Sequence, residues 1–231
     1  MRPPLSFIEP FDDDSAGPAV HGFLHRPAGP AGRGLVLTHG AGSDCDAPVL
    51  VAVAEAFARA GITVLRCDLP FRQARASGPP LPATAARDRE GLRRAVTALR
   101  PFVPGAIALG GHSYGGRQGS MVAADDTGLV DALLLLSYPL HPPRRPNQQR
   151  ILHFASLRTP VLFVHGSRDP FGSVAELDEA RRLIPGRTAL VTVDGAGHDL
   201  MRGGSELPLA AIVQTFRGLR AGDPITSPPE P

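Results

Sequence analysis

Short apolar runs alternating with segments of helical periodicity constrain this chain more than any other feature. Gly34-Leu35-Val36-Leu37-Thr38, Ile62-Thr63-Val64-Leu65-Arg66, Ala106-Ile107-Ala108-Leu109, Ala132 to Ser137, Pro160 to Val164 and Thr188 to Val193 are too short for helices. They are also too uniformly apolar for strands with one wet face. Strands buried on both faces belong to a parallel sheet, and the helical patterns between them supply the crossovers that parallel pairing requires. Helices are predicted at Pro48 to Ala60, Thr84 to Leu99, Gly115 to Ala124, about Val174 to Ile184 and about Glu206 to Leu219. Pro48 suits a first helical turn and Gly61 a helix end. Val20 to His25 reads as a further strand, suited to an antiparallel edge hairpin, and the Pro-, Gly- and Ser-rich stretch from Pro70 to about Pro82 reads as a loop. The expectation is an α/β fold, a mostly parallel central sheet flanked by helices. One domain is expected over residues 1–221, with the aperiodic segment 222–231 as a disordered tail.

The run Ala106 to Leu109 delivers Gly110-Gly111-His112-Ser113-Tyr114-Gly115-Gly116, and a helix follows at once. Gly-x-Ser-x-Gly alone is a weak pattern, since a glycine-rich turn with a capping serine looks the same. Between a buried strand and a helix it describes a nucleophile elbow, a turn so tight that only small residues can flank the serine. A serine hydroxyl is a poor nucleophile until a base takes its proton, and that base needs a carboxylate behind it. Asp169 follows the strand Pro160 to Val164, and His198 follows the strand Thr188 to Val193. Their order after Ser113 is the Ser, Asp, His order of such folds. Taken singly, Asp169 could be a turn or N-cap aspartate and His198 a surface-loop histidine. Asp194 and Asp199 are rival carboxylates, less well placed to support the imidazole from behind. An oxyanion needs backbone N–H donors. These are expected from Tyr114, after the nucleophile, and from the small-residue loop His39-Gly40-Ala41-Gly42, with Ala41 first and Gly40 next. His39 is expected to shape that loop rather than react.

Composition narrows the chemistry. All 24 basic residues are Arg, so Schiff-base chemistry and a Walker-type phosphate loop, which need Lys, are excluded. A net charge of +2, with basic and acidic residues interspersed, offers no footprint for nucleic acid. No apolar run could span a bilayer, and Met1 to Leu5 lacks a signal-peptide core, so a cytoplasmic protein without a membrane partner is expected. Cys45 and Cys67 have no zinc-type spacing and are expected as reduced thiols. His21 and His25 have the i, i+4 spacing of a helical metal pair but lie in a strand-like segment without a third ligand. They are expected as ordinary surface residues, and no metal or cofactor is expected.

Four segments carry a resemblance: Thr38-His39-Gly40-Ala41-Gly42-Ser43-Asp44, Gly110 to Arg117, Ser137-Tyr138-Pro139-Leu140-His141-Pro142, and Leu162 to Asp169. With them the chain resembles the α/β-hydrolase superfamily over nearly its whole length, and within it the compact dienelactone-hydrolase-like branch. A narrower similarity is to the hydrolase-like group of testis-expressed proteins and a chromatin NSL-complex subunit. The resemblance implies an α/β-hydrolase fold with a minimal lid at residues 139–150. It implies a serine hydrolase acting on a small carboxylic ester or thioester through an acyl-enzyme, and a monomer or homodimer is expected. Dienelactone hydrolases use a cysteine nucleophile and haloalkane dehalogenases an aspartate, so Ser113 argues against both of those reactions. The narrower group includes scaffolds, which leaves a non-catalytic, hydrolase-shaped interaction module as the alternative. Tyr138, His141 and Arg117 could line the pocket, and Arg72 could hold a substrate carboxylate. Arg72 and Arg117 could equally brace loops through carbonyls.

Overall fold

The computed structural model describes residues 7–202 and 206–220. Eight strands form one sheet: β1 (Phe7–Asp13), β2 (Val20–Arg26), β3 (Arg33–Thr38), β4 (Ile62–Cys67), β5 (Ile107–His112), β6 (Leu133–Leu136), β7 (Val161–Gly166) and β8 (Thr188–Val193). Their spatial order is β1-β2-β4-β3-β5-β6-β7-β8. β1 pairs with β2 and β2 with β4 antiparallel, and every other pairing is parallel. The helices are α1 (Pro48–Arg59), α2 (Pro70–Ala74), α3 (Ala85–Leu99), α4 (Tyr114–Asp125), α5 (Val174–Ala180) and α6 (Leu209–Arg220).

The leucine run shows why the layers form. Alternate side chains of a strand leave opposite faces, and in β6 Leu133 and Leu135 join the core under α3, α4 and α5, while Leu134 and Leu136 join the core under α1 and α6. All four are fully buried, each contributing about 1.5–3 kcal/mol of burial free energy. From β3 the chain turns first to β4 on one side and later to β5 on the other. The loops after β3 and β5 therefore diverge, and the crevice between them lies at the carboxyl ends of the strands, where α/β sheets bind ligands.

Most expected elements appear within a residue or two of their expected limits, and the edge hairpin is formed by β1 with β2. Two differences have physical causes. The stretch after Pro70 is not all loop: Pro70 starts the short helix α2, and the Phe71 N–H is held by the buried Asp88 carboxylate at 2.9 Å. The helix at Val174 ends at Ala180 and tightens into a 3₁₀ turn, Arg181–Leu183. The tail expected to be disordered, 222–231, lies outside the described residues. No helix among the described residues is long and apolar enough to cross a membrane.

His25 corrects an expectation, for it is fully buried rather than on the surface. Its Nε2 accepts from Arg66 Nε at 2.8 Å, while His21 pairs with Asp12 at 2.6 Å. Cys45 and Cys67 are buried and unbridged, and burial pushes the Cys45 thiol up to about 12.

Burial, reinforced by Arg66, pushes His25 down to about 4, and burial with Arg117 does the same to His153. Both rings are neutral when folded yet take up protons near pH 6.5 when unfolded. Stability is then full above about pH 6.5 and falls as pH drops towards about 4. Urea unfolding between pH 7 and 4.5 is expected to show a steady loss of unfolding free energy, to which the buried His39 and His112, also lowered by burial, add in the same direction. A flat profile over that range would contradict it.

Candidate active site

The site is built at the crevice between β3 and β5. Ser113 follows β5 and caps α4 with φ 50° and ψ −112°, a conformation that L-residues seldom adopt. Such strain costs on the order of 1–3 kcal/mol and persists only where the surroundings enforce it. Here the Ser113 N–H donates to Leu136 O at 2.8 Å. The turn also closes on itself: a Cβ at Gly111 would lie 2.7 Å from Gly116 N and 2.9 Å from Thr38 O. Only glycine fits there, which is the local reason for the pattern around Ser113.

His198 sits in the loop after β8, with Nε2 2.7 Å from Ser113 Oγ and Nδ1 2.8 Å from Asp169 Oδ2. A carboxylate only accepts, so Nδ1 carries the proton and the Nε2 lone pair receives the serine O–H. Asp169 is buried, and its second oxygen accepts from Phe171 N–H at 2.8 Å. The rival carboxylates are engaged elsewhere. Asp194 accepts from Ser167 Oγ at 3.1 Å, and Asp199 from Met201 N–H at 3.2 Å. The two loops are joined by Arg168 N–H to Ala196 O (2.9 Å) and Gly195 N–H to Ser167 Oγ (2.8 Å).

The loop after β3 comes up against the elbow. Gly115 N–H donates to His39 O at 3.2 Å, and a Cβ at Gly40 would lie 3.5 Å from Ser113 Cβ. The buried His39 donates from Nδ1 to Gly40 O (2.8 Å) and accepts at Nε2 from Leu69 N–H (3.0 Å), so it shapes the loop as expected. Burial keeps the His39 ring neutral by lowering its pKa. The Ala41 N–H makes no backbone hydrogen bond among the described residues. That of Tyr114, at the first turn of α4, has no intrahelical partner. Tyr114 is pinned by its hydroxyl, which donates to Asp88 Oδ2 at 2.7 Å. Beside His198 opens a cavity of about 720 Å³, lined by Ser43, Asp44, Ala47, Pro48, Val49, His112, Pro170 and Arg202 among others.

The family profile described as Alpha/beta hydrolase domain matches residues 31–210. The chain belongs to the α/β-hydrolase family. Solved structures with the same fold include a dienelactone hydrolase from Anabaena variabilis, at 22% identity and TM-score 0.68, covering 92% of this chain and 95% of that one. Est1E from Butyrivibrio proteoclasticus is 19% identical with TM-score 0.71, covering 91% and 98%. An alpha-beta serine hydrolase homologue from Coxiella burnetii is 20% identical with TM-score 0.67, covering 91% and 95%.

In this α/β hydrolase the four residues considered as pocket-lining make the following contacts, and neither they nor Ser113 line the cavity beside His198. Arg72 is a brace: its guanidinium donates to the carbonyls of Ser43 (2.9 Å), Ala41 (3.1 Å), Arg75 and Gly78 (both 3.2 Å). Four of its five N–H donors are taken by these carbonyls, which leaves no bidentate face for a substrate carboxylate. Tyr138 is buried against Phe154 and Phe163 and donates to Arg150 O at 2.6 Å. His141 is buried, donating from Nδ1 to Pro142 O at 2.8 Å, with Nε2 3.5 Å from Glu176. Arg117 lies beside Tyr138, Arg150 and His153, its buried Nε without a hydrogen-bond partner among the described residues. Sequence reasoning missed His112, Phe171 and Asp88. Phe171 stacks on the His198 ring at 4.1 Å between centroids, tilted by 32°. The only local signal for it was its place two residues after Asp169.

Proposed function

We propose that this α/β hydrolase cleaves small carboxylic esters or thioesters through an acyl-enzyme. The observation that carries this reading is the unbroken line of hydrogen bonds from Ser113 through His198 to the buried Asp169. Ser113 Oγ attacks the acyl carbon as its proton passes to His198 Nε2, and Asp169 stabilises the imidazolium. The oxygen that gains charge is held by the Ala41 and Tyr114 N–H groups, with Gly40 N–H the alternative donor from the same loop. His198 then protonates the leaving alkoxide or thiolate, and water, activated by the same base, releases the acid. The cavity of about 720 Å³ beside His198 offers space for the substrate next to the base.

A non-catalytic module has no need of a strained serine with its base and acid at hydrogen-bond distance, so the geometry favours the enzyme. The decisive measurement is labelling by a fluorophosphonate probe together with hydrolysis of p-nitrophenyl acetate. Both are expected in the wild type and absent from Ser113→Ala. A wild type that neither labels nor hydrolyses would overturn the reading in favour of the interaction module.

A further inference from the structure

His112 ends β5, directly before Ser113, and has no part in the chemistry just described. Its Nε2 lies 2.9 Å from the backbone oxygen of His198, and the two rings are 5.3 Å apart. A carbonyl oxygen can only accept, so His112 Nε2 carries a proton and acts as donor. The opposite side of the ring meets the loop after β3, since a Cβ at Gly40 would fall 3.0 Å from Nδ1. One side chain therefore spans the loop that holds the oxyanion donors, the strand that presents the nucleophile, and the loop that carries the base. Burial lowers the pKa of His112, in keeping with a neutral ring whose single proton sits at Nε2.

The bond matters because of what else holds His198. Its ring is fixed at two edge atoms by Ser113 and Asp169, and stacked by Phe171. Its loop is tied to the acid's loop at Gly195 and Ala196. Among the described residues, the His198 backbone itself takes part in no hydrogen bond but that from His112. That bond ties the backbone of the base directly to β5, and a displacement near 1 Å at a reacting group can cost about 100-fold in rate.

We infer that His112 is a positioning residue that sets the His198–Ser113 distance by donating from Nε2 to the His198 carbonyl. The inference rests on the proposed ester chemistry for its kinetic consequence, though not for its geometry.

The test compares three variants. His112→Phe keeps the ring without a donor. His112→Asn carries an amide that falls short of the Nε2 position, and His112→Gln places an amide N–H near it. On p-nitrophenyl acetate the Phe and Asn variants are expected to lose about 10- to 100-fold in kcat with KM changed less than about twofold. Fluorophosphonate labelling should slow by a similar factor. His112→Gln is expected to recover to within about threefold of wild type, which a purely space-filling role would not produce. The low-field NMR resonance of the His198 Nδ1 proton gives a readout free of turnover. It should be sharp in wild type and His112→Gln, and broadened or lost in the other two. If His112→Phe does not fold, the Asn and Gln pair decides.

Phe and Asn variants within about threefold of wild type would overturn the inference, as would a Gln variant no better than Asn. A wild type inert to probe and ester would remove the ester reading instead. The NMR comparison would then judge the positioning role alone: His112-dependent sharpening would uphold it, and an unchanged resonance would reject it.

Discussion

Replacing His198 with Ala is expected to lower kcat for p-nitrophenyl acetate by about 10⁴- to 10⁶-fold, with the protein still folded. The size follows from the geometry. In the proposed mechanism His198 Nε2, 2.7 Å from Ser113 Oγ, is the base, and without it the hydroxyl must ionise unaided. Asp169→Asn is expected to be nearly as damaging, by about 10⁴-fold, for a different reason. An amide N–H facing Nδ1 favours the tautomer with the proton on Nε2, so the ring would point a donor, not a lone pair, at the serine. The proposed mechanism uses the three groups as one unit, so Ser113→Ala combined with His198→Ala should be scarcely worse than either alone. Steady-state kinetics of the single and double variants checks all of this. Additive losses would mean that the residues do not share one proton-transfer path.

Gly166→Ala is expected to damage stability and activity together. A Cβ there would lie 2.4 Å from both Ala196 O and Gly197 O. Both obstacles are backbone, so no side chain can swing aside, and β7 would have to separate from the loop that carries His198. Asp169 leaves β7 three residues later, and the displacement would stretch its 2.8 Å bond to His198 Nδ1. A loss of about 1–3 kcal/mol in unfolding free energy is expected from urea titration, with about 100-fold in kcat. Gly29→Ala is the matched control, because it lies far along the chain from the site and a Cβ there meets nothing within 4 Å. Equal behaviour of the two variants would show that the contact between the Asp169 and His198 loops does not hold the site in register.

The layered fold was legible in the sequence because its signals are local. Four leucines in a row can only be a strand buried on both faces in a chain with this alternation, and β6 is buried at every position. The elbow was legible for the same reason: the steric demand that Gly111 and Gly116 meet arises within a few residues of Ser113. Asp169 and His198 could be located because each follows a recognisable strand, and their separation from Ser113 is closed by the sheet order. Where the reading fell short, direction was at issue. Arg72 and Tyr138 both stand near the carboxyl ends of strands, which made them candidates for the pocket, with loop-bracing through carbonyls the equal alternative for Arg72. Arg72 instead turns to the carbonyls behind the Ala41 loop, and Tyr138 turns inward to Phe154 and Phe163. His25 was misplaced because its burial depends on Arg66, on the neighbouring strand β4.

By itself, then, the amino-acid sequence determined the strands from Val20 onward, how they are connected, and that a serine would stand at a tight turn with an aspartate and a histidine on later loops. These follow from hydrophobic period, glycine sterics and chain order, all of which act over a few residues. Only the tertiary structure decided that the serine, histidine and aspartate meet at 2.7 and 2.8 Å, and that His112 and Phe171 hold the base in place. A hydrogen bond between residues 86 apart depends on where two loops from different strands end up, and side-chain direction at a loop is set by neighbours that have no fixed sequence spacing.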